Sequence, residues 1–246
     1  MHSCPPEPHC HDRQTGPDRR LFAKAFALWV ATAGHSPAQT RSNIVELQGE
    51  VLLNGQRLMP HQFIQTGDSL ETGPDSYVVF AIGQVAIQMR PRSLLAIGRG
   101  ATFSTVSQLH LLKGGVLSLW GQAASSRLVT PALTATIRQG AVYTEVLESQ
   151  PQRTYLCHCH GVMEITTAGQ DKVALATTDH HAFWIDPQNP DNAPLTPAPW
   201  IKHTGDELAL LARLTGQKPT RPPRDKKGTV DHSSDWTKPG AYGTLD

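Results

Sequence analysis

The sequence has almost no excess of charge and few aromatic side chains. Its 246 residues include 22 Lys and Arg against 21 Asp and Glu, which gives a formal net charge of +1. This balance provides no broad electrostatic attraction to nucleic acid or to an anionic membrane, so we expect neither as a partner. Aromatic residues make up 6% of the chain, whereas Gly and Pro number 20 and 19. Such a composition favours many turns and short strands over long helices.

Long apolar runs are also missing. No segment after residue 38 is apolar enough to span a membrane, and the one earlier run, residues 25–34, is short. It follows Arg19 and Arg20 and precedes the small residues Ser36 and Ala38, an order typical of a secretory leader. We therefore predict a leader over residues 1–38 and no membrane span in the mature chain. The alternative is a membrane anchor, but a spanning helix needs roughly 20 apolar residues and Lys24 interrupts this one.

The segment 19–24 (RRLFAK) resembles the twin-arginine export consensus. The resemblance implies export to the periplasm by the pathway that carries folded proteins, often with a cofactor already bound.

From residue 43 to residue 186, short apolar stretches alternate with turn signals. Asn54-Gly55 is a strong hairpin signal because both positions tolerate a positive φ. The pattern predicts an all-β domain over residues 39–186, built as a sandwich or a solenoid-like sheet of many short strands.

A single C-terminal helix is predicted after a loop rich in Pro, Asn and Asp at residues 187–199. Thr204 and Glu207 have the spacing of a capping box, and Leu208, Leu211 and Leu214 fall on one helical face. We assign residues 187–219 to the loop and a helix that packs on the sheet. Residues 220–246 are polar with few apolar anchors, so we predict a disordered tail.

Several motifs of the β region occur in the order found in a known family. They are residues 46–51 (ELQGEV), 54–55 (NG), 66–73 (TGDSLETG), 78–83 (VVFAIG), 89–93 (MRPRS) and 112–117 (LKGGVL). Over residues 43–165 the chain resembles the FecR domain, an all-β periplasmic module best known from ferric-citrate signalling. Signalling members carry a sigma-regulating segment and a membrane helix ahead of this domain. Residues 1–14 are too short and too polar to be that segment, so we expect a domain separated from transmembrane signalling.

The resemblance extends to a soluble subgroup of the family. Its members have a Thr-Tyr-x-Cys-x-Cys-Tyr-Gly motif, then a His-His pair, then an Asn-His-Thr-Asp segment before a final helix. The corresponding residues here are 154–161 (TYLCHCHG), 180–181 (HH) and 202–204 (KHT), with His160 in place of Tyr and Lys202 in place of Asn.

These segments contain a candidate metal site. Cys157 and Cys159 should project from one face of a strand, with His158 and His160 on the other face. Two thiolates so placed could bind a single ion, and thiolate with imidazole suits zinc or copper. The predicted ligands are Cys157, Cys159, His180, His181 and His203, with one residue of the His180-His181 pair facing the cysteines. A closed set of four would make the site structural rather than catalytic.

Two other interpretations of the cysteines remain open. They could pack as small apolar side chains, free or oxidised, although a Cys-x-Cys disulfide would be strained. They could also have a thiol redox role, because a protonated histidine beside a thiol lowers its pKa. The sequence has no nucleophile elbow, phosphate loop or paired-carboxylate signature. It therefore favours a binding module for an envelope protein or a small ligand over an enzyme. An accessory subunit of an envelope complex is a further alternative.

Overall fold

The computed structural model describes residues 42–122, 126–167, 172–188, 195–199 and 202–218, which form fourteen β-strands and one α-helix. The strands are β1 (Ile44–Gln48), β2 (Val51–Leu53), β3 (Gln56–Arg57), β4 (Ser69–Thr72), β5 (Tyr77–Ile82), β6 (Val85–Met89), β7 (Leu94–Gly98), β8 (Gln108–Trp120), β9 (Ser126–Val129), β10 (Leu133–Val146), β11 (Thr154–Thr167), β12 (Val173–Thr177), β13 (His181–Ile185) and β14 (Leu195–Ala198). The helix, α1, spans Gly205–Leu214. The predicted all-β fold with one C-terminal helix is confirmed. The predicted leader and the predicted tail lie entirely outside the described residues.

Three long strands, β8, β10 and β11, shape the sheet because each of them pairs with different strands along its two halves. The first half of β8 pairs with β7 and the second half with β6. β10 pairs with β9 and then with β8. One edge of β11 pairs with β10, while the other edge pairs with β13 and then with β12. The long strands thereby join two groups of short strands into one mainly antiparallel sheet that encloses a core.

The apolar side chains form two clusters, one on each face of the long strands. The larger one lies inside the sheet and includes Leu70, Phe80, Leu111 and Leu156, all fully buried. Side chains alternate between faces along a strand, so neighbouring positions supply a second cluster on the outer face. Its members include Leu117, Leu119, Tyr143, Cys157 and Cys159 from the strands, with Leu208 and Leu211 from α1. The predicted metal site therefore lies beneath the helix.

The helix begins and packs as the sequence predicts. The hydroxyl of Thr204 accepts a hydrogen bond from the backbone N–H of Glu207, whose carboxylate accepts one from the N–H of Thr204. This capping box satisfies two amide groups that the helix itself leaves unpaired. Leu208 and Leu211 are buried against the sheet, and Leu214 is half-buried beside them. With ten residues, α1 is too short to cross a membrane, and the described part of the chain contains no other helix that could.

The loop predicted over residues 187–199 contains a strand. β14 pairs with β13, and Pro197 lies opposite Phe183. Proline cannot donate a ladder hydrogen bond, so its presence argued for a loop, but an edge strand tolerates it. β14 is the last strand at this edge of the sheet.

Candidate metal centre

Both cysteines lie on β11 where its pairing with β10 is irregular. His158 is opposite Val142 and His160 is opposite Ala141, although Val142 and Ala141 are adjacent. Cys159 is therefore an extra residue between two paired neighbours, which defines a β-bulge.

The bulge determines which side chains share a face. Cys157 and Cys159 both belong to the outer cluster under α1, as predicted. The extra residue shifts the alternation by one position, so His160 lies on the same face as the cysteines. The prediction that His160 lies on the opposite face is wrong for this reason, whereas the prediction for His158 is confirmed by its pairing with Val142 of the inner cluster.

His180 comes from the connection between β12 and β13. These two strands pair with residues 161–165 and 154–158 of β11, so neither of them pairs with Cys159 or His160. His180 immediately precedes β13 beside this gap in the pairing. His181, the other predicted ligand of the pair, is opposite His158 across the strands and is exposed. His181 is not part of the group formed by the two cysteines, His180 and His203.

His203 comes from the segment that leads into α1, one residue before the N-cap. The structure thus brings together four of the five predicted ligands, from three separate parts of the chain: Cys157, Cys159, His180 and His203. We refer to these four residues as the Cys/His cluster. One ligand atom from each residue lies within 4.8 Å of the others.

The distances within the cluster are short. His203 Nε2 lies 3.3 Å from Cys159 Sγ and 3.8 Å from Cys157 Sγ. His180 Nδ1 lies 3.5 Å from Cys157 Sγ and 3.0 Å from His203 Nε2. In a tetrahedral zinc site, bond lengths of about 2.3 Å to sulfur and about 2.0–2.1 Å to nitrogen place sulfur and nitrogen about 3.6 Å apart and two nitrogens about 3.3 Å apart. The four measured distances are close to these edge lengths.

Three of the four side chains are buried. Cys157, Cys159 and His203 are 0%, 2% and 1% exposed, and His180 is half-buried. Both cysteines are free thiols. Burying three polar groups together is costly unless they satisfy one another or bind an ion.

The imidazole of His203 is held by the side chains around it. It stacks on Tyr143, with ring centroids 5.6 Å apart and planes 18° from parallel. The hydroxyl of Tyr143 donates a hydrogen bond to Glu145, 2.8 Å away, and the ammonium of Lys202 lies 2.9 Å from the same carboxylate. Glu145 of β10 therefore contacts both Lys202, which precedes His203 in the chain, and Tyr143, whose ring stacks on His203.

A buried ion pair fixes the start of α1 beside the cluster. The guanidinium of Arg90 donates to both carboxylate oxygens of Glu207 and to the backbone carbonyl of Lys202. The side chains of Arg90 and Glu207 are only 4% and 13% exposed. Burial alone would raise the pKa of Glu207, but the hydrogen bonds and charge of Arg90 outweigh it and hold that pKa below its ordinary value. Glu207 is therefore ionised at neutral pH, when it caps the helix and pairs with Arg90.

The two thiols have opposite tendencies to ionise. A hydrogen bond from Cys159, followed by hydrogen bonds from His180 and His203, lowers the pKa of Cys157 to about 3 despite its burial. Burial, followed by the hydrogen bond to Cys157 and its charge, raises the pKa of Cys159 well above its ordinary value. Without a metal, the pair therefore holds one thiolate and one thiol. Metal binding requires Cys159 to lose its proton as well.

Two further histidines flank the cluster. Burial lowers the pKa of His158 to about 4, and its buried ring nitrogens have no hydrogen-bond partner of good geometry. Burial and the charge of His180 lower the pKa of His160. His160 is the nearby residue whose position sequence reasoning missed, because an alternation pattern contains no signal for a bulge.

No family model matches the chain, and no curated protein matches it at a significant level. Among solved structures, the chain is similar to two crystal structures, at 1.65 Å and 2.50 Å resolution, each described as a "putative anti-sigma factor" from Parabacteroides distasonis. The first has a TM-score of 0.42 at 6% identity and covers 49% of this chain; the match spans 56% of that protein. The second has a TM-score of 0.45 at 8% identity, with 68% of this chain and 81% of the other covered.

Proposed function

We propose that this protein is an exported FecR-like binding module whose C-terminal segment is fixed to the sheet by one structural zinc ion. The observation that carries the proposal is the geometry of the Cys/His cluster. Two sulfur and two nitrogen atoms from three parts of the chain lie within 4.8 Å of one another, and four of their six separations are close to those of a tetrahedral site.

The ligand chemistry favours zinc. A tetrahedral set of two thiolates and two imidazoles is typical of zinc, while soft thiolates also suit copper(I). Four protein ligands leave no open position for a substrate, which favours a structural site over a catalytic one.

The position of the cluster supports the same role. Cys157 and Cys159 belong to the sheet, whereas His203 belongs to the segment that leads into α1. An ion shared by these ligands would cross-link the helix to the sheet, as a disulfide would. The free energy of binding would then contribute to the stability of the fold.

The broader part of the proposal rests on the sequence motifs. The ordered FecR-like segments over residues 43–165 support a module that binds an envelope protein or a small ligand. The twin-arginine-like segment 19–24 supports export after folding, which would allow zinc to bind while both thiols are still reduced. An accessory subunit of an envelope complex fits the same observations.

A thiol redox role is the second candidate, and the ionisation of the two cysteines favours it. A thiolate at Cys157 beside a thiol at Cys159 resembles the arrangement in redox-active pairs. Reactive cysteines are also accessible, however, and these two are 0% and 2% exposed. Their burial supports the metal site over the redox role.

Metal content tests the proposal. We expect one zinc per chain in protein purified under reducing conditions, and a loss of zinc in Cys159→Ser and His203→Ala. His110→Ala, a histidine of β8 outside the cluster, is the matched control and should keep its zinc. Copper in place of zinc would change the identity of the ion but not the site. Metal-free wild-type protein whose thiols react readily with an alkylating reagent would favour the redox role.

A further inference from the structure

A cavity of about 770 Å³ opens at the connection between β12 and β13, the segment that contains His180. Its lining includes His160 from β11, together with Asp179 and His181, the two chain neighbours of His180. His180 is the half-buried member of the Cys/His cluster, whereas the other three ligands are buried. The most exposed ligand of the cluster is therefore the one whose two chain neighbours both line the cavity.

The cavity is lined by the kinds of group that bind zinc. Imidazole nitrogens and carboxylate oxygens are common zinc ligands. His160 reaches this side because the bulge at Cys159 turns it to the face of the cysteines. The carboxylate of Asp179 accepts a hydrogen bond from the backbone N–H of His180, 2.9 Å away, which holds the acidic group beside this half-buried ligand. Both Asp179 and His181 are exposed and can meet an ion arriving from solvent.

These three residues do not form a second closed site. Within the described residues, the Cys/His cluster is the only group in which three or more ligand atoms come within 4.8 Å of one another. His160, Asp179 and His181 are spaced more widely than that. An ion bound by only one or two of them would be held weakly and would dissociate quickly. Fast dissociation is what transfer to a tighter site requires.

We propose that His160, Asp179 and His181 form an outer capture site, from which a zinc ion passes by way of His180 to the buried cluster. A buried metal site needs a route by which the ion reaches it, and this is the side on which a ligand is accessible. The inference rests on the proposed function, because it assumes that the cluster binds metal. Negative charge at the mouth of a cleft also raises the rate at which cations arrive.

Loading kinetics test the inference. The full chain, stripped of metal under reducing conditions, is mixed with cobalt(II), whose thiolate charge-transfer absorption reports on the cluster. We expect the double variant His160→Ala/His181→Ala to load about tenfold more slowly than wild type. Removal of the bound metal by a chelator should slow by the same factor, because the same route serves both directions, so the dissociation constant and the final spectrum stay unchanged. His61→Ala, an exposed histidine elsewhere in the β domain, is the control.

The possible outcomes separate the two claims. Loading at the wild-type rate would overturn the capture site and leave the proposed zinc centre standing. Faster metal loss with weaker binding would also overturn it, because the two histidines would then stabilise the centre rather than serve the route. A wild-type chain without any thiolate–cobalt absorption would contradict the zinc centre itself.

Discussion

At the scale of single residues, the Cys/His cluster is held in place by side chains that are not among its four members. His203 stacks on Tyr143, and its chain neighbour Lys202 pairs with Glu145. Groups that orient metal ligands in this way often affect metal affinity almost as strongly as the ligands do. The ion pair between Arg90 and Glu207 stabilises the same segment, because Arg90 also donates a hydrogen bond to the backbone carbonyl of Lys202.

The first prediction concerns Glu207. Glu207→Gln should lower the free energy of unfolding by about 3 kcal/mol, because it leaves the buried Arg90 without its charged partner. Chemical denaturation checks this. The matched control Asp206→Asn removes an exposed acidic group from the same helical turn and should cost well under about 1 kcal/mol.

The pH dependence of stability follows from the same carboxylate. Its pKa in the fold lies below the ordinary value of 4.5, so its contribution is fully present above that pH. The contribution is lost as the pH falls through the lower pKa of the folded state. Wild type should therefore lose stability below pH 4.5 more steeply than Glu207→Gln. Parallel curves for the two proteins would show that the ion pair contributes nothing.

At the scale of elements, the bulge of β11 and the docking of α1 bring the ligands together. Next to the bulge, Gly140 and Gly161 face each other across β10 and β11, with φ of +120° and +110°. A Cβ atom at Gly161 would lie 2.1 Å from the carbonyl oxygen of Gln139 and 2.6 Å from Gly140 Cα. The two strands can approach this closely beside the cluster only because both residues are glycine.

Gly161→Ala should therefore destabilise the protein by about 3 kcal/mol and reduce zinc retention, because the strands must separate next to Cys159. Gly55→Ala is a useful comparison. Gly55 also has a positive φ, +81°, but open space surrounds its Cβ position, so we expect a cost of only about 1 kcal/mol. Denaturation midpoints and zinc content measure both effects. Equal costs would mean that backbone strain, and not the close approach, governs position 161.

Metal removal should act mainly on α1. The ion would link the sheet to the residue just before the N-cap, so its loss should weaken the docking of the helix more than the pairing of the strands. Hydrogen exchange of chelator-treated protein should show faster exchange in Leu208–Leu214, with β6 and β8 little changed. Uniform protection with and without metal would contradict a cross-linking role.

The sequence predicted these elements unequally. The alternating pattern, Asn54-Gly55 and the capping box at Thr204 are local signals, and each predicted its element correctly. The bulge at Cys159 was not predictable, because it arises from register between strands far apart in the chain. The choice of His180 over His181 likewise depended on how β13 pairs with β11.

At the scale of the whole molecule, export after folding would connect the predicted leader to the proposed metal site. A chain that crosses the membrane already folded can keep zinc on thiolates that an oxidising compartment would otherwise attack. We predict that replacing both Arg19 and Arg20 with Lys blocks export and leaves zinc-loaded precursor in the cytoplasm. Cell fractionation with zinc analysis measures this. Unchanged export of the variant would contradict the twin-arginine route and would leave only the general prediction of secretion.

X-ray absorption at the zinc edge would show directly whether the Cys/His cluster holds a zinc ion. We expect two sulfur atoms at about 2.3 Å and two nitrogen atoms at about 2.0–2.1 Å from zinc in the purified protein. A shell of nitrogen and oxygen alone, or a sulfur shell unchanged in Cys159→Ser, would contradict this expectation.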